Sequence, residues 1–363
     1  RPGGQPVGRS QVFALPGDDE LRIHRSEPGG QLRRFTAEVF ARHGETLRPA
    51  MQVIADANCT ARAGRRIRHE DKDAVFLDQL DGDLKTLRWT ETLQAPWPKG
   101  ADPGGIRVAM IDSGLAYDLP HVQNRLARDS SGTPLGYDFW DMDPLPYDGD
   151  VSRGPFLPIR HGSAVASILL REVPDAALIP YRYPAPDMGR MKAVLSQAAK
   201  ADARIIAMPL GSNDPADWIG FKEGMEDHPN LLAIVSAGNN GRNLDLQPLY
   251  PASLNLPNVI VVTSADGFGR LAPGVNWGPK TVDIMLPAEN VPVIDFRGAK
   301  GTASGSSYAV PRLAALAARI LERNPGLTIE ELKAAIFARA TQSPYEAEKR
   351  VSAGWIPDPD QDR

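Results

Sequence analysis

Cysteine is all but missing from this chain: Cys59 is the single one in 363 residues, so no intrachain disulfide can form. That leaves room for a cytosolic protein and equally for a bacterial extracytoplasmic one that does without disulfides. Long apolar runs are missing as well. None approaches the roughly 20 residues a helix needs to cross a bilayer. Neither sign of charge dominates, with 41 basic against 45 acidic side chains and a formal net charge of −4. Nucleic acid and an acidic membrane surface are therefore not expected as main partners. Histidine is scarce at six residues, which keeps the search for an acid–base group short. No internal repeat is visible. What remains is an ordinary globular composition, 42% apolar and 24% charged, long enough for one large domain and something smaller.

Two textures follow one another along the chain. Up to residue 98 there are β-like runs, "DAVFLDQL" and "LKTLRWTETL", joined at Asp81-Gly82, a strong hairpin signal. The stretch "LRRFTAEVFARH" reads as a helix, the opening "RPGGQPVG" as a loose tail, and "QAPWPKGADPGG" as a linker. "RAGRRIR", flanked by "HEDKD", is an ordinary charged β segment rather than a basic patch. From Ile106 onward apolar runs alternate with helical patterns. The strands expected are "IRVAMID", "AALIPYRY", "ARIIAMPL", "LLAIVSAG", "NVIVVTSA" and "VDIMLPA". The helices expected are "SAVASILLREV", "MGRMKAVLSQAAKA", "WIGFKEGMED", "SSYAVPRLAALAARILERN" and "TIEELKAAIFARA". This alternation predicts an α/β fold with a mainly parallel sheet, covered by helices on both faces, beside a smaller β-rich N-terminal region. The expected division is 1–98, 99–345 and a C-terminal tail at 346–363. Ligands of such sheets gather beyond the carboxyl ends of the strands.

Unusual chemistry clusters at those ends. "IRVAMIDSG" ends a strand in Asp112, and "RHGSAVASIL" opens a helix at His161. "LLAIVSAGNNG" ends a strand in Asn239, and "GTASGSSYAVP" opens the long helix with Thr302, Ser304, Ser306 and Ser307. Asp, His and Ser in that chain order match one of the known orders of a nucleophilic triad, and no G-x-S-x-G elbow surrounds a serine. Each piece alone has a structural reading. "IDSG" is a strand leaving into a turn, His161 a polar helix cap, "AGNNG" a turn and the serine cluster a small-residue helix entrance. Asn240 is an alternative to Asn239 if the loop is shifted by one, and His121, in what reads as a solvated turn, is the nearest rival histidine.

Taken together, residues 104 to 342 resemble the subtilisin-like serine proteases, the subtilase family. Asp112-Ser113-Gly114 matches the family's Asp-Thr/Ser-Gly, and "HGSAVA" its His-Gly-Thr-x-Val-Ala. Ala237-Gly238-Asn239 matches its Ala-Gly-Asn, and "GSSYAVP" its Gly-Thr-Ser-x-Ala-x-Pro. The resemblance implies a subtilisin-like three-layer fold and a serine endopeptidase acting through an acyl-enzyme. It implies Ser307 as nucleophile, His161 as base, Asp112 as its partner and Asn239 as oxyanion donor, with Leu210, Gly211 and Gly238 binding substrate backbone. A hydroxyl needs a base near pH 7, which an imidazole supplies, and a helix start offers free N–H groups to an oxyanion. Pro311 is compatible if it lies in the first helical turn.

The chain departs from the family pattern at Leu119-Pro120-His121, at Ala164, at Tyr308 and at Pro209, which lacks an N–H a bound peptide could pair with. These bear on cleft shape. They keep two rivals open: a silent pseudoprotease that still binds peptides, and an esterase on the same fold. The stretch "YDFWDMDPLPYDGD" reads as an acidic surface loop near the cleft, favouring basic side chains before the scissile bond. It is also the place for a structural calcium ion, although no cofactor is required. Residues 1–98 are expected to be either a removable prodomain or, slightly favoured, a permanent accessory region interacting with the catalytic one. Family habit and a chain starting at Arg1 rather than Met raise the expectation of a secreted or periplasmic protein.

Overall fold

The structure, a computed structural model, describes residues 8–71, 73–345 and 348–361. The stretch read as an N-terminal tail lies outside the described residues except for Gly8. The chain divides into two compact units, Arg1–Pro96 with Asp150–Ile159, and Trp97–Gly149 with Arg160–Arg363.

The first unit is a seven-stranded antiparallel meander whose spatial order is its sequence order: β1 (Gly8–Ala14), β2 (Glu20–Ser26), β3 (Arg34–His43), β4 (Thr46–Asp56), β5 (Ala61–His69), β6 (Val75–Asp81) and β7 (Leu87–Gln94). The helix expected over "LRRFTAEVFARH" is instead β3, paired with β2 on one side and β4 on the other. Leu32, Phe35, Val39 and Phe40 imitate a helical spacing. A register shift between Val39 and Phe40 breaks the two-residue alternation that would have betrayed the strand. The β6–β7 connection is longer than a two-residue turn: the Asp81 N–H reaches the Thr86 carbonyl at 2.9 Å, and Leu84 takes a positive φ of 58°. Residues 150–159 fold back on themselves through the Asp150–Ile159 pair, and they present Phe156, buried, edge-on to Phe40 with ring centroids 6.4 Å apart.

The second unit holds β8 (Arg107–Asp112), α1 (Pro120–Gln123), β9 (Tyr137–Asp138), α2 (Gly162–Glu172), β10 (Ala177–Arg182), α3 (Met191–Lys200), β11 (Ile205–Met208), α4 (Ile219–Asp227), β12 (Leu232–Ser236), β13 (Val259–Ala265), β14 (Ile284–Pro287), the hairpin β15 (Val291–Ile294) and β16 (Lys300–Ala303), α5 (Ser306–Arg323), α6 (Ile329–Phe337) and β17 (Gly354–Trp355). Eight strands form a sheet in the order β17-β14-β13-β12-β11-β8-β10-β9, and every pairing in it is parallel. Ala109, Ile111, Ile206, Met208, Ala233 and Val235 join one core cluster with Val194 and Leu195 of α3 and Phe221 and Met225 of α4. The alternate residues, such as Val108, Met110, Ala207 and Ile234, are equally buried, and α5 lies along β11, β12 and β13. Burial on both faces is why these strands read as unbroken apolar runs. Within the stretch read as a tail, Trp355 is buried and β17 extends the sheet edge beside β14.

From Trp97 onward the stretch read as a linker belongs to the second unit. Asp102 accepts from the Arg128 N–H at 2.6 Å, Arg128 donates to the Pro98 carbonyl at 2.9 Å, and Trp97 lies 4.2 Å from the Tyr117 ring.

Candidate active site

The parallel sheet delivers three of its strand ends to one rim. Asp112 closes β8, Pro209-Leu210-Gly211 follows β11, and Ala237-Gly238-Asn239 follows β12. Asp112 is buried, and its two carboxylate oxygens stand 2.7 and 2.9 Å from Nδ1 of His161, which caps the start of α2. This bond fixes the tautomer: Nδ1 donates its proton to the carboxylate, which leaves Nε2 as the lone-pair nitrogen. Gly162 makes the approach possible, because a Cβ there would lie 2.0 Å from the Gly114 carbonyl and 3.2 Å from the Asp112 Cβ.

A second, wholly buried carboxylate lies at the start of α2, where it accepts from the His161 backbone N–H at 3.3 Å. Asp148 accepts from Ser113 Oγ at 2.6 Å and from the Ser163 N–H at 2.9 Å, while Ser113 Oγ accepts from the Gly162 N–H at 2.9 Å. Together they cap α2 with negative charge at its positive end. Burial is the largest influence on His161 and opposes its protonation. The charge and hydrogen bond of Asp112, with the charge of Asp148, outweigh it and hold the imidazole pKa above the ordinary histidine value.

The four hydroxyls near α5 have four different settings. Thr302 sits on β16 opposite Pro292, and Ser304 Oγ accepts from the Asn290 N–H at 2.8 Å. Ser306 is fully buried, 2.7 Å from Ser236 Oγ, and accepts from the Gly238 N–H at 3.1 Å. Ser307 is half-buried, and its hydroxyl has no hydrogen-bond partner among the described residues. It occupies the second position of α5, where backbone N–H groups have no helical acceptor. Its neighbour Tyr308 lies 5.9 Å from the His161 ring, centroid to centroid. Burial, and then the charge of Asp112, push the Tyr308 hydroxyl pKa up. The start of α5 therefore stands beside the Asp112–His161 pair. Pro311 is the sixth residue of the helix, not part of its first turn as the sequence reading required. Its missing N–H is the donor that the Ser307 carbonyl, four residues back, would otherwise have had.

Asn239 is exposed, and its side-chain oxygen accepts from both the N–H and the hydroxyl of Ser306, each at 2.9 Å. A backbone N–H is an unambiguous donor, so the amide orientation is set and the NH₂ group is turned away from Ser306. Asn276 steadies the loop. Its side chain donates to the Ala237 carbonyl at 2.7 Å and accepts from the N–H groups of Asn240 and Arg242 at 2.9 Å. His121 lies half-buried in the four-residue α1, not in a solvated turn, and burial pushes its pKa down.

The acidic stretch departs from the surface loop expected. Asp138 is buried, accepting from Arg182 at 2.8 Å and from the N–H groups of Trp140 and Asp141 at 2.8 Å. Asp148 is buried in the α2 cap. Protein donors occupy these carboxylates, and among the described residues no cluster of three or more histidine, cysteine or acidic side chains could hold a metal ion. The stretch does not fit a calcium site. Asp148 is also the residue whose role the sequence concealed, since it lies 13 positions before His161 inside a run of similar aspartates.

Residues 104–355 match the model of the subtilase family. The thermostable alkaline protease of Halalkalibacterium halodurans is 25% identical over 247 residues, covering 67% of this chain and 64% of that protein. The halolysin-like extracellular serine protease Nep of Natrialba magadii is 25% identical over 254 residues, covering 66% of this chain and 44% of that one. The match thus spans less than two thirds of the length of either relative. The crystal structure of a cold-adapted subtilisin-like serine proteinase superposes with a TM-score of 0.57 at 20% identity, over 73% of this chain and 92% of the other, which shows a shared fold. Among the described residues no helix is long and apolar enough to cross a membrane. With a family match over most of its length, on a fold that gathers the matching motifs at one rim, the chain belongs to the subtilase family.

Proposed function

We propose that the protein is a serine endopeptidase in which Ser307, His161 and Asp112 hydrolyse peptide bonds through an acyl-enzyme. The observation that carries this reading is the tautomer-fixing pair of Asp112 and His161 beside the first turn of α5, where Ser307 has the unengaged hydroxyl. His161 Nε2 takes the Ser307 proton as Oγ bonds to the scissile carbonyl carbon, and Asp112 stabilises the imidazolium that forms. The carbonyl oxygen, now an anion, is held by the Asn239 NH₂ and the Ser307 N–H. His161 then returns the proton to the leaving amine as the C–N bond breaks. Water, deprotonated by the same nitrogen, cleaves the ester and restores the serine. No metal takes part in these steps. The substrates are proteins or peptides that lay their backbone along Leu210-Gly211 and Gly238.

The pseudoprotease reading draws support from the same free hydroxyl, which makes no hydrogen bond to His161, and from Pro209. Such bonds often close only when substrate is bound. Peptide hydrolysis by wild type, Ser307→Ala and His161→Ala decides between the two. Cleavage lost in both variants is the expected result, whereas cleavage that survives in Ser307→Ala sinks the assignment. A wild type that binds peptides without cutting them favours the pseudoprotease, and one that cuts only small esters favours the esterase.

Residues 1–98 belong, on this reading, to the working enzyme rather than to a segment that is removed. Residues 150–159 cluster with them, and Phe156 is buried beside Phe40, so removal would strip an apolar side chain of its cover. Secretion remains part of the proposal, supported by the extracellular relative named above.

A further inference from the structure

We infer that Asn276, which no substrate can touch, is the positioning residue of the proposed oxyanion donor Asn239, and that the rate of acyl transfer depends on it. The inference rests on the peptidase reading and adds a residue outside the triad on which that reaction turns. Asn239 is exposed, in a turn bounded by two glycines of positive φ, Gly238 at 89° and Gly241 at 66°. An exposed turn of this kind holds an amide still only when its backbone is tied elsewhere. One wholly buried side chain supplies the ties on both flanks of Asn239. Asn276 Nδ2 donates to the Ala237 carbonyl at 2.7 Å, and its Oδ1 accepts from the N–H groups of Asn240 and Arg242, each at 2.9 Å. The Asn276 backbone N–H donates to the Gly238 carbonyl at 2.8 Å. Residues 237, 238, 240 and 242 are thus fastened to Asn276, while the Asn239 side chain between them bonds to Ser306.

The fastening needs an asparagine. Turning its amide over would set the NH₂ against two N–H donors and the oxygen against a carbonyl, so the orientation is fixed. A leucine has similar volume but neither donor nor acceptor, and an ionised aspartate lacks the donor. Filling a core position requires only volume, whereas both polar atoms of the Asn276 side chain bond to this one turn. The fit is close, since a Cβ on Gly238 would lie 2.8 Å from Asn276 Nδ2. Asn276 is itself anchored in the parallel sheet. Its carbonyl accepts from Oγ1 of Thr263, a fully buried residue of β13, at 2.6 Å. A chain of bonds therefore runs from the interior of the sheet through Asn276 to the turn, and from Asn239 to the start of α5. An oxyanion donor is effective because it is already in place when the charge develops. A displacement of about 1 Å is enough to cost about 10²-fold in rate.

The test is a double-mutant cycle on the full chain. Peptide hydrolysis gives kcat and KM, with active sites counted by end-point labelling with a fluorophosphonate. Asn276→Ala is expected to lower kcat per site by about 10- to 10²-fold while KM stays within about twofold. In an Asn239→Ala background the same change should cost less than about twofold, because the donor it positions is gone. Asn276→Asp keeps the acceptor for Asn240 and Arg242 and should recover part of the loss. An equal loss in both backgrounds overturns the inference. So does a folded Asn276→Ala whose kcat per site is unchanged, or whose only defect is in KM or in the number of active sites. Should Asn276→Ala not fold, the cycle is read with Asn276→Asp. If neither folds, Asn276 is a requirement of the fold and the inference fails. A folded wild type that neither cleaves peptide nor reacts with the fluorophosphonate removes the peptidase reading itself, and full kcat in Asn239→Ala removes the oxyanion assignment; this inference falls with either.

Discussion

What covers the two sheets differs, and so does what each can hold still. All eight strands of the parallel sheet carry buried side chains, with α3 and α4 packed against one set of alternating residues and α5 against strands of the other. In the antiparallel meander Val12, Phe13, Leu87 and Trp89 stay between 43% and 62% exposed, and few apolar side chains, Phe40, Leu77 and Leu80 among them, are fully buried. The meander compensates with cross-strand polar ladders. Asp78, buried on β6, accepts from Arg66 at 2.8 Å, Arg68 at 3.3 Å and Thr90 at 2.9 Å. Burial alone would raise its pKa, but these three partners together bring it below the usual carboxylate range. A dense interior fixes side chains to fractions of an ångström, as a proton relay requires. A charge-laced sheet tolerates more change, and one insertion, 150–159, ties that sheet by chain connection to His161.

The sharpest break between the units is expected at Asn239. If Asn239 holds the oxyanion as proposed, Asn239→Ala should lower kcat by about 10²- to 10³-fold with little change in KM, because the lost donor would serve the transition state. Steady-state kinetics would show this. Next comes Phe156→Ala, which empties the best-buried site of the insertion and should cost about 3–5 kcal/mol, read from denaturant unfolding. Hydrogen exchange should then rise in β3 and in 150–159 before it rises in the parallel sheet. A uniform rise would contradict the division into two units.

The pH profile gives a smaller effect with a definite sign. On the proposed mechanism activity needs neutral His161, whose pKa is raised, so the acid limb should lie above the ordinary histidine value near 6.5. Asp148→Asn removes one of the charges responsible, and the limb should move to lower pH. The contribution of His161 to stability runs the other way. It is fully present below the unfolded-state pKa and is lost as pH rises through the folded one. The mildest change is Arg62→Ala in the meander, where an exposed Asp56–Arg62 pair is broken. No measurable shift in the unfolding midpoint is expected.

How much of this the sequence discloses follows the same division. Buried parallel strands announce themselves as apolar runs, so "IRVAMID" and "LLAIVSAG" are legible, and the motifs at their ends are legible by chain order. Half-exposed strands are not, since β3 hides behind a chance helical spacing and a register shift. Residues that act across the chain leave no local mark. Asp148 looks like its acidic neighbours until its partners are seen. The long helix begins at Ser306, where its pattern places the start, and that puts Pro311 sixth, beyond the first turn.

The most direct measurement is the intact mass of the protein after reaction with a fluorophosphonate, with the modified residue located by peptide mass spectrometry. The account predicts a single label on Ser307, absent from Ser307→Ala, carried by chains that retain the meander through Pro96. A label found only on chains that have lost that region, or on any residue other than Ser307, would contradict it.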